Sequence, residues 1–155
     1  PAYINHPGLA LAYKIDTGKS KIVYMTDNEP FRYLLRQQSK KQDVYDDLKR
    51  GQVELEREDL MLVDFFEGAD VLIHDGQYTQ EEYPPHLGWG HSFYEFALEM
   101  ALQGHVKKLL FFHHDPDRTD ADLDKQLEKI QTLAKARGAP LDIGAAFEGQ
   151  EIQLP

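Results

Sequence analysis

Apolar residues occur along the chain in short runs bounded by glycine, proline and polar residues, which is the pattern of strands in a globular protein. Six runs predict strands, at residues 10–15, 21–25, 69–73, 107–112, 142–147 and 151–154. The first two flank Thr17-Gly18-Lys19, whose composition is typical of a tight turn. Several runs carry apolar residues on both faces, as strands that are covered on both sides do.

Two segments between these strands have apolar residues at helical spacing. A short helix is expected at residues 60–66, before Gly68. A longer helix is expected after residue 92, because Ser92 and Glu95 fit the spacing of a capping box. Gly104 would end that helix.

The remaining chain holds a last helix and one strongly polar segment. Thr119 and Asp122 fit a second capping box, and apolar residues at helical spacing continue from there to Gly138. Residues 36–59 are mostly polar and predict a surface segment or a partly helical insertion. The length of 155 residues fits a single domain, residues 1–155, and alternating strands and helices predict an α/β fold.

Composition restricts the chemistry. The chain has 17 Lys and Arg residues and 27 Asp and Glu residues, a formal net charge of −10, which disfavours a protein that coats nucleic acid. A cleft that accepts one phosphate remains compatible with this charge, because metal ions can supply positive charge. Cysteine is absent, so any metal must be held by His, Asp and Glu.

No segment of the sequence predicts a membrane protein. No apolar run approaches the roughly 20 residues that span a bilayer, and no signal segment is visible. We therefore expect no membrane partner and a cytoplasmic location. Because the chain begins with Pro1 rather than Met, we expect it to be processed, tagged and trimmed, or a piece of a longer protein.

The densest group of candidate metal ligands is His113-His114-Asp115, which directly follows the run at 107–112. Imidazoles and a carboxylate at the mouth of a buried strand are costly unless they have partners. Both groups are ligands of zinc-like metals. The alternative interpretation is one solvated loop histidine and one hydrogen-bonded spacer.

Other candidates lie at further element boundaries, where α/β proteins assemble their sites. They are His6 in an NHPG turn, Asp27 and Asp75 after apolar runs, and His91 before a helix. Each has a structural alternative, as a turn residue, an Asx-turn former, a loop cap and an exposed residue, respectively. Two histidines that follow no buried strand are expected to have no role in a site, His86 and His105.

Five motifs occur in a specific order: NHPG (5–8), YMTDNEP (24–30), VLIHDGQYTQEEY (71–83), GWGHS (88–92) and LLFFHHDPDRTD (109–120). Together they resemble the C-terminal half of metallo-β-lactamase-fold hydrolases, in the phosphodiesterase-like branch that includes ribonuclease Z. The resemblance covers almost the whole chain except residues 36–59. It implies one mixed sheet with helices on one face, which is half of an αββα sandwich.

The resemblance also implies two divalent metal ions, usually zinc and sometimes manganese or iron. His6 would be a ligand of the first metal, Asp27 would bridge both metals, and His113 would be a ligand of the second. His114 would lie in the outer shell or face the substrate.

By the same resemblance, two residues would serve catalysis directly. His91 would contact the scissile phosphate or donate a proton, and Asp75 would support His91. The substrate would be a small phosphodiester, with a cyclic nucleotide, an RNA end and other diesters left open.

The chain departs from the family in one large respect. The signature HxHxDH, which supplies further ligands from upstream of the NHPG turn, is absent from the sequence. The resemblance therefore implies a partner, the upstream half of the fold, within a homo- or hetero-oligomer. Joined to that half, the chain would be a metal-dependent hydrolase. The alternative is a non-catalytic binding or assembly module that retains half of the fold.

Overall fold

The fold is built around one six-stranded mixed sheet, in which the strand order follows the chain. A computed structural model describes residues 1–33, 45–138 and 140–154. The strands are β1 (Ala2–Tyr3), β2 (Leu11–Asp16), β3 (Lys21–Met25), β4 (Val71–Asp75), β5 (Lys108–Phe112) and β6 (Asp142–Ala145). β1 to β3 are antiparallel neighbours, whereas β3 to β6 run parallel to one another.

Three helices pack on one face of this sheet. They are α1 (Tyr45–Phe66), α2 (Tyr94–Gln103) and α3 (Asp120–Ala136). Alternate strand residues belong to the same buried cluster as helix residues, among them Val23, Met25, Leu72, Leu109 and Phe111 on the sheet and Phe66, Phe96, Met100 and Ile130 on the helices. This arrangement confirms the predicted α/β fold, one mixed sheet with helices on one face.

The opposite face of the sheet carries apolar side chains, and several of them are exposed to solvent. Tyr13, Tyr24, Ile73 and Leu110 are cross-strand neighbours in one row, which is exposed at Tyr13 and Tyr24 and buried at Leu110. Tyr13 is 52% exposed and Tyr24 is 41% exposed, and Ile15 in the next row is 59% exposed. Soluble monomers rarely expose contiguous apolar surface of this kind. We call this surface the open face.

One predicted helix cap is wrong. α2 begins at Tyr94, and its N-cap Phe93 makes no side-chain cap hydrogen bond. The Ser92 hydroxyl instead donates to the carbonyl of Asn28, and the Glu95 carboxylate accepts from the amide of Gln80. Ser92 is fully buried, so its position between two loops decides its hydrogen bond rather than the capping-box spacing.

The second predicted cap is confirmed, because Thr119 accepts from the amide of Asp122 at the start of α3. Other boundaries differ. The apolar residues 60–66 are the end of a longer helix, and residues 45–59 are helical, whereas 36–44 lie outside the described residues. Residues 151–154 form no strand.

None of the helices in the described parts of the chain combines the length and the apolar character that a membrane-crossing helix needs. The longest, α1, carries charged residues throughout its 22 positions. This agrees with the sequence, in which no long apolar run is found.

A buried histidine gives the fold a predictable pH dependence. His74 is fully buried, and its Nδ1 lies 2.7 Å from the carbonyl oxygen of Asp75. Burial lowers the pKa of His74 below its ordinary value of 6.5. Below about pH 6.5, His74 is therefore protonated in the unfolded chain but remains neutral in the folded chain. The free energy of unfolding falls as the pH falls through this range.

Replacing His74 with Gln removes this group. We expect the slope of unfolding free energy against pH, between pH 6.5 and 5, to decrease by up to about 1.4 kcal/mol per pH unit. Urea unfolding with a chelator present measures the slope, and His105→Asn, in an exposed turn, is the control. An unchanged slope in His74→Gln would show that another group causes the acid sensitivity.

Candidate metal centre

The candidate site lies at the carboxyl ends of three adjacent parallel strands. Asp27 follows β3, Asp75 is the last residue of β4, and His113 follows β5. Parallel strands bring their carboxyl ends to one edge of the sheet, where α/β proteins place their ligands. His91 reaches the same edge from the loop before α2.

These four side chains form a compact group. Each offers one ligand atom, and the four atoms all lie within 4.8 Å of one another. Nε2 of His113 lies 3.2 Å from Oδ1 of Asp27, and Nδ1 of His91 lies 3.8 Å from the same oxygen. The rings of His91 and His113 stack with their centroids 4.7 Å apart. Residues from distant parts of the sequence therefore share one site.

Backbone strain marks two members of the group. Asp27 and His113 have φ angles of 58° and 55°, a region that side-chain-bearing residues rarely adopt. Among the described residues, His105 is the one other non-glycine residue with a positive φ. Strained backbone that persists in a fold tends to occur at functional sites. This signal was not visible in the sequence, because the conformation depends on the folded loops.

Asp75 fixes the orientation of His91. The Asp75 carboxylate is fully buried and accepts from the amides of Gln77 and Ser92 through Oδ1. Its Oδ2 lies 2.9 Å from Nδ1 of His91. Burial alone would lower the pKa of His91. The hydrogen bond to Asp75 and the negative charges of Asp75, Asp27 and Glu29 raise this pKa, and together they outweigh the effect of burial. The pKa of His91 is therefore raised, which favours the protonated imidazole.

His6 lies beside the group rather than in it. Its ring centroid is 5.8 Å from that of His91, and its Nδ1 accepts from the amide of Gly8, which leaves Nε2 as its other ligand atom. The ring packs closely on the backbone of Gly90, where an added Cβ would come within 2.2 Å of His6 Cδ2. Gly90 therefore has to lack a side chain for His6 to hold this position.

His114 is not a member of this group. Its Nδ1 lies 3.2 Å from the hydroxyl of Tyr94, and its Nε2 is buried without a hydrogen-bond partner among the described residues. Burial lowers the pKa of His114, which favours the neutral ring. His113 is thus the residue of this pair that approaches Asp27.

Sequence reasoning missed a buried carboxylate that holds three loops together. Glu29 is 1% exposed. Its Oε1 accepts from the Tyr83 hydroxyl and the Gly88 amide, and its Oε2 accepts from the Gly90 amide. Its own backbone bonds to Asn5 in the NHPG turn. Glu29 therefore connects the loops that carry His6, Asp27 and His91.

The donor set fits a divalent metal ion. An imidazole nitrogen and a carboxylate oxygen, such as those of His113 and Asp27, are ligands that zinc, manganese and iron accept. Two ligands on a tetrahedral ion with bonds of about 2.0 Å are about 3.3 Å apart. The separation between His113 Nε2 and Asp27 Oδ1 is close to that value, at 3.2 Å. A cation would also balance the carboxylates that converge here.

One solved structure with the same fold is that of the metallo-β-lactamase fold protein YhfI from Bacillus subtilis, with a TM-score of 0.60 and 18% sequence identity. The match covers 96% of this chain and 46% of the YhfI chain, so this chain spans about half the length of that protein. No family model matches the sequence, and no curated protein matches it. The fold of this chain is accordingly of the metallo-β-lactamase type.

Proposed function

We propose that this chain is the C-terminal half of a dinuclear metal-dependent hydrolase that cleaves a small phosphodiester. The observation that carries the proposal is the convergence of Asp27, Asp75, His91 and His113 within 4.8 Å from four separate segments. This cluster differs from a patch of exposed acids, because it combines two histidines, a fully buried carboxylate and two backbone positions with positive φ.

In this proposal Asp27 would help to hold both metal ions, one together with His113 and the other together with His6. When bound, such ions polarise phosphoryl oxygens and lower the pKa of a bound water. Asp27 is suited to this role, because its side chain is 38% exposed at the edge of the sheet and lies close to both His91 and His113.

His91 acts as the proton donor or phosphate contact, and Asp75 is its positioning residue. Nδ1 of His91 is bound to Asp75, so Nε2 is the nitrogen left for the substrate. The raised pKa keeps a proton available for a leaving oxygen. The stacked ring of His113 limits how far the His91 imidazole can rotate.

The proposal includes a partner. The open face would be covered by the upstream half of the fold, which would also bring the HxHxDH ligands to the same edge. The exposed apolar side chains of Tyr13, Ile15 and Tyr24 support this, and so does the match to about half of the YhfI chain. Assembly and metal binding would then be coupled.

The proposal is tested by joining the two halves. We expect the chain, co-expressed with an HxHxDH-containing half, to form a stoichiometric complex in light scattering. With zinc or manganese, the complex should hydrolyse bis(p-nitrophenyl) phosphate. Asp27→Asn should abolish metal-dependent hydrolysis, and His105→Asn should not. A complex that forms and binds metal but does not hydrolyse the diester would favour the binding-module alternative.

A further inference from the structure

The loop that leads into His91 carries an exposed aromatic ring. Trp89 is the one tryptophan of the chain and is 60% exposed. It lies two residues before His91, between Gly88 and Gly90, whose φ angles are 86° and 93°. These angles favour glycine, so the glycines at positions 88 and 90 allow the loop to take this path on either side of Trp89.

The loop is exposed but firmly held. The amides of Gly88 and Gly90 donate to the two oxygens of the buried Glu29 carboxylate, 2.6 Å and 3.0 Å away. The amide of Trp89 itself donates to the carbonyl of His86. Burying a carboxylate is costly unless it is hydrogen-bonded. The buried carboxylate of Glu29 is bonded to the backbone on both sides of Trp89, and it fixes the loop that exposes the Trp89 indole.

A stack of rings supports the indole from one side. The Trp89 ring meets His86 edge-on with centroids 4.8 Å apart, and His86 stacks on Tyr78 at 4.3 Å and 10°. Tyr78 is buried, and its ring lies 6.4 Å from that of His91. The series of rings thus connects the exposed indole to the candidate proton donor. Single exposed aromatics are common, but Trp89 is fixed by both backbone and ring contacts.

The charge of the site indicates what such a ring would contribute. The chain carries a net charge of −10, and the carboxylates of Asp27 and Asp75 lie 3.8 Å and 2.9 Å from Nδ1 of His91. An anionic diester therefore gains little attraction from this chain's own charges. Stacking on an indole is insensitive to that charge, and it is a common way to hold a nucleobase.

We infer that Trp89 is a stacking subsite for the purine or pyrimidine base of the diester that reacts at the Asp27–His113 centre. The inference rests on the proposed function and narrows its substrate to nucleotides. The base lies against the exposed part of the indole, and the phosphate extends past His91 toward Asp27.

Fluorescence of the single tryptophan tests the inference on the 155-residue chain itself. With excitation in the red edge of the indole band, AMP and adenosine are expected to quench Trp89 saturably, whereas ribose 5-phosphate is not. Calorimetry then compares variants, since they lose the fluorophore. Trp89→Ala should weaken AMP binding about 5- to 150-fold, the range for a lost stacking ring, and leave ribose 5-phosphate binding unchanged. Trp89→Phe should retain most of the AMP affinity.

The outcomes separate this inference from the proposed function. If AMP and ribose 5-phosphate bind equally well, or if Trp89→Ala binds AMP as the parent does, the subsite does not exist. If adenosine quenches Trp89 while neither phosphate compound binds better with zinc than without, the subsite stands and the metal-dependent function fails. A thermal melt of Trp89→Ala confirms that the comparison is made on folded protein.

Discussion

Replacing Glu29 with alanine is expected to lower the free energy of unfolding by about 3–5 kcal/mol, a large share of the stability of a typical domain. Three donors lose their acceptor together, namely the Tyr83 hydroxyl and the amides of Gly88 and Gly90. Each buried donor without a partner costs about 1–3 kcal/mol. Urea unfolding measures the loss.

A graded series makes the Glu29 prediction sharper. Glu29→Gln retains the shape of the side chain and one acceptor oxygen, but it turns an NH2 group toward one of the bound donors. We therefore expect its free energy of unfolding to lie between that of the parent and that of Glu29→Ala. Glu128→Ala, at an exposed position of α3, is the matched control and should change stability by less than about 0.5 kcal/mol. A loss of the same small size in Glu29→Ala would mean that water replaces the carboxylate without cost.

Replacing His91 with alanine is expected to reduce turnover about 10²–10⁴-fold in a protein that contains both halves of the fold, the usual loss for an acid-base group. Metal content should remain, because Asp27 and His113 are intact. The reason is geometric: His91 Nδ1 is held by Asp75, and the ring lies over His113 beside Asp27. Steady-state kinetics with metal analysis of the same preparation measures both quantities.

Asp75→Asn distinguishes a positioned imidazole from one that merely fills space. It keeps the size of the side chain but removes the negative charge that orients the His91 ring and raises the pKa of His91. We expect turnover to fall with little change in KM, and the double variant with His91→Ala to be no slower than His91→Ala alone. Unchanged turnover in His91→Ala would reduce His91 to a structural residue.

The edge of the sheet that holds the candidate centre was predictable from the sequence for a simple reason. A polar residue one or two positions after an apolar run marks the end of a buried strand, and adjacent parallel strands bring such ends together. Asp27, Asp75 and His113 satisfy this rule, and they do lie together. The roles assigned to them, and to His6, still rest on resemblance and proposal.

Other features could not be predicted, because they depend on tertiary contacts rather than on local pattern. Nothing near Glu29 in sequence distinguishes it from an exposed turn residue, since its partners are 54 to 61 positions away. Ser92 has the spacing of a helix cap, but its hydroxyl donates a hydrogen bond to the nearby carbonyl of Asn28 instead. The run at 151–154 has alternating apolar residues but lies outside the hydrogen-bonded sheet.

The most direct test of the proposed metal centre is anomalous diffraction at the zinc edge from crystals grown with zinc. We predict a peak within about 2.0–2.2 Å of His113 Nε2 and of an Asp27 carboxylate oxygen, the usual lengths of zinc bonds to these ligands. In crystals of Asp27→Asn the peak should be lost or much weaker. Zinc bound elsewhere on the chain, with the Asp27–His113 position empty at saturating zinc, would contradict the proposed centre.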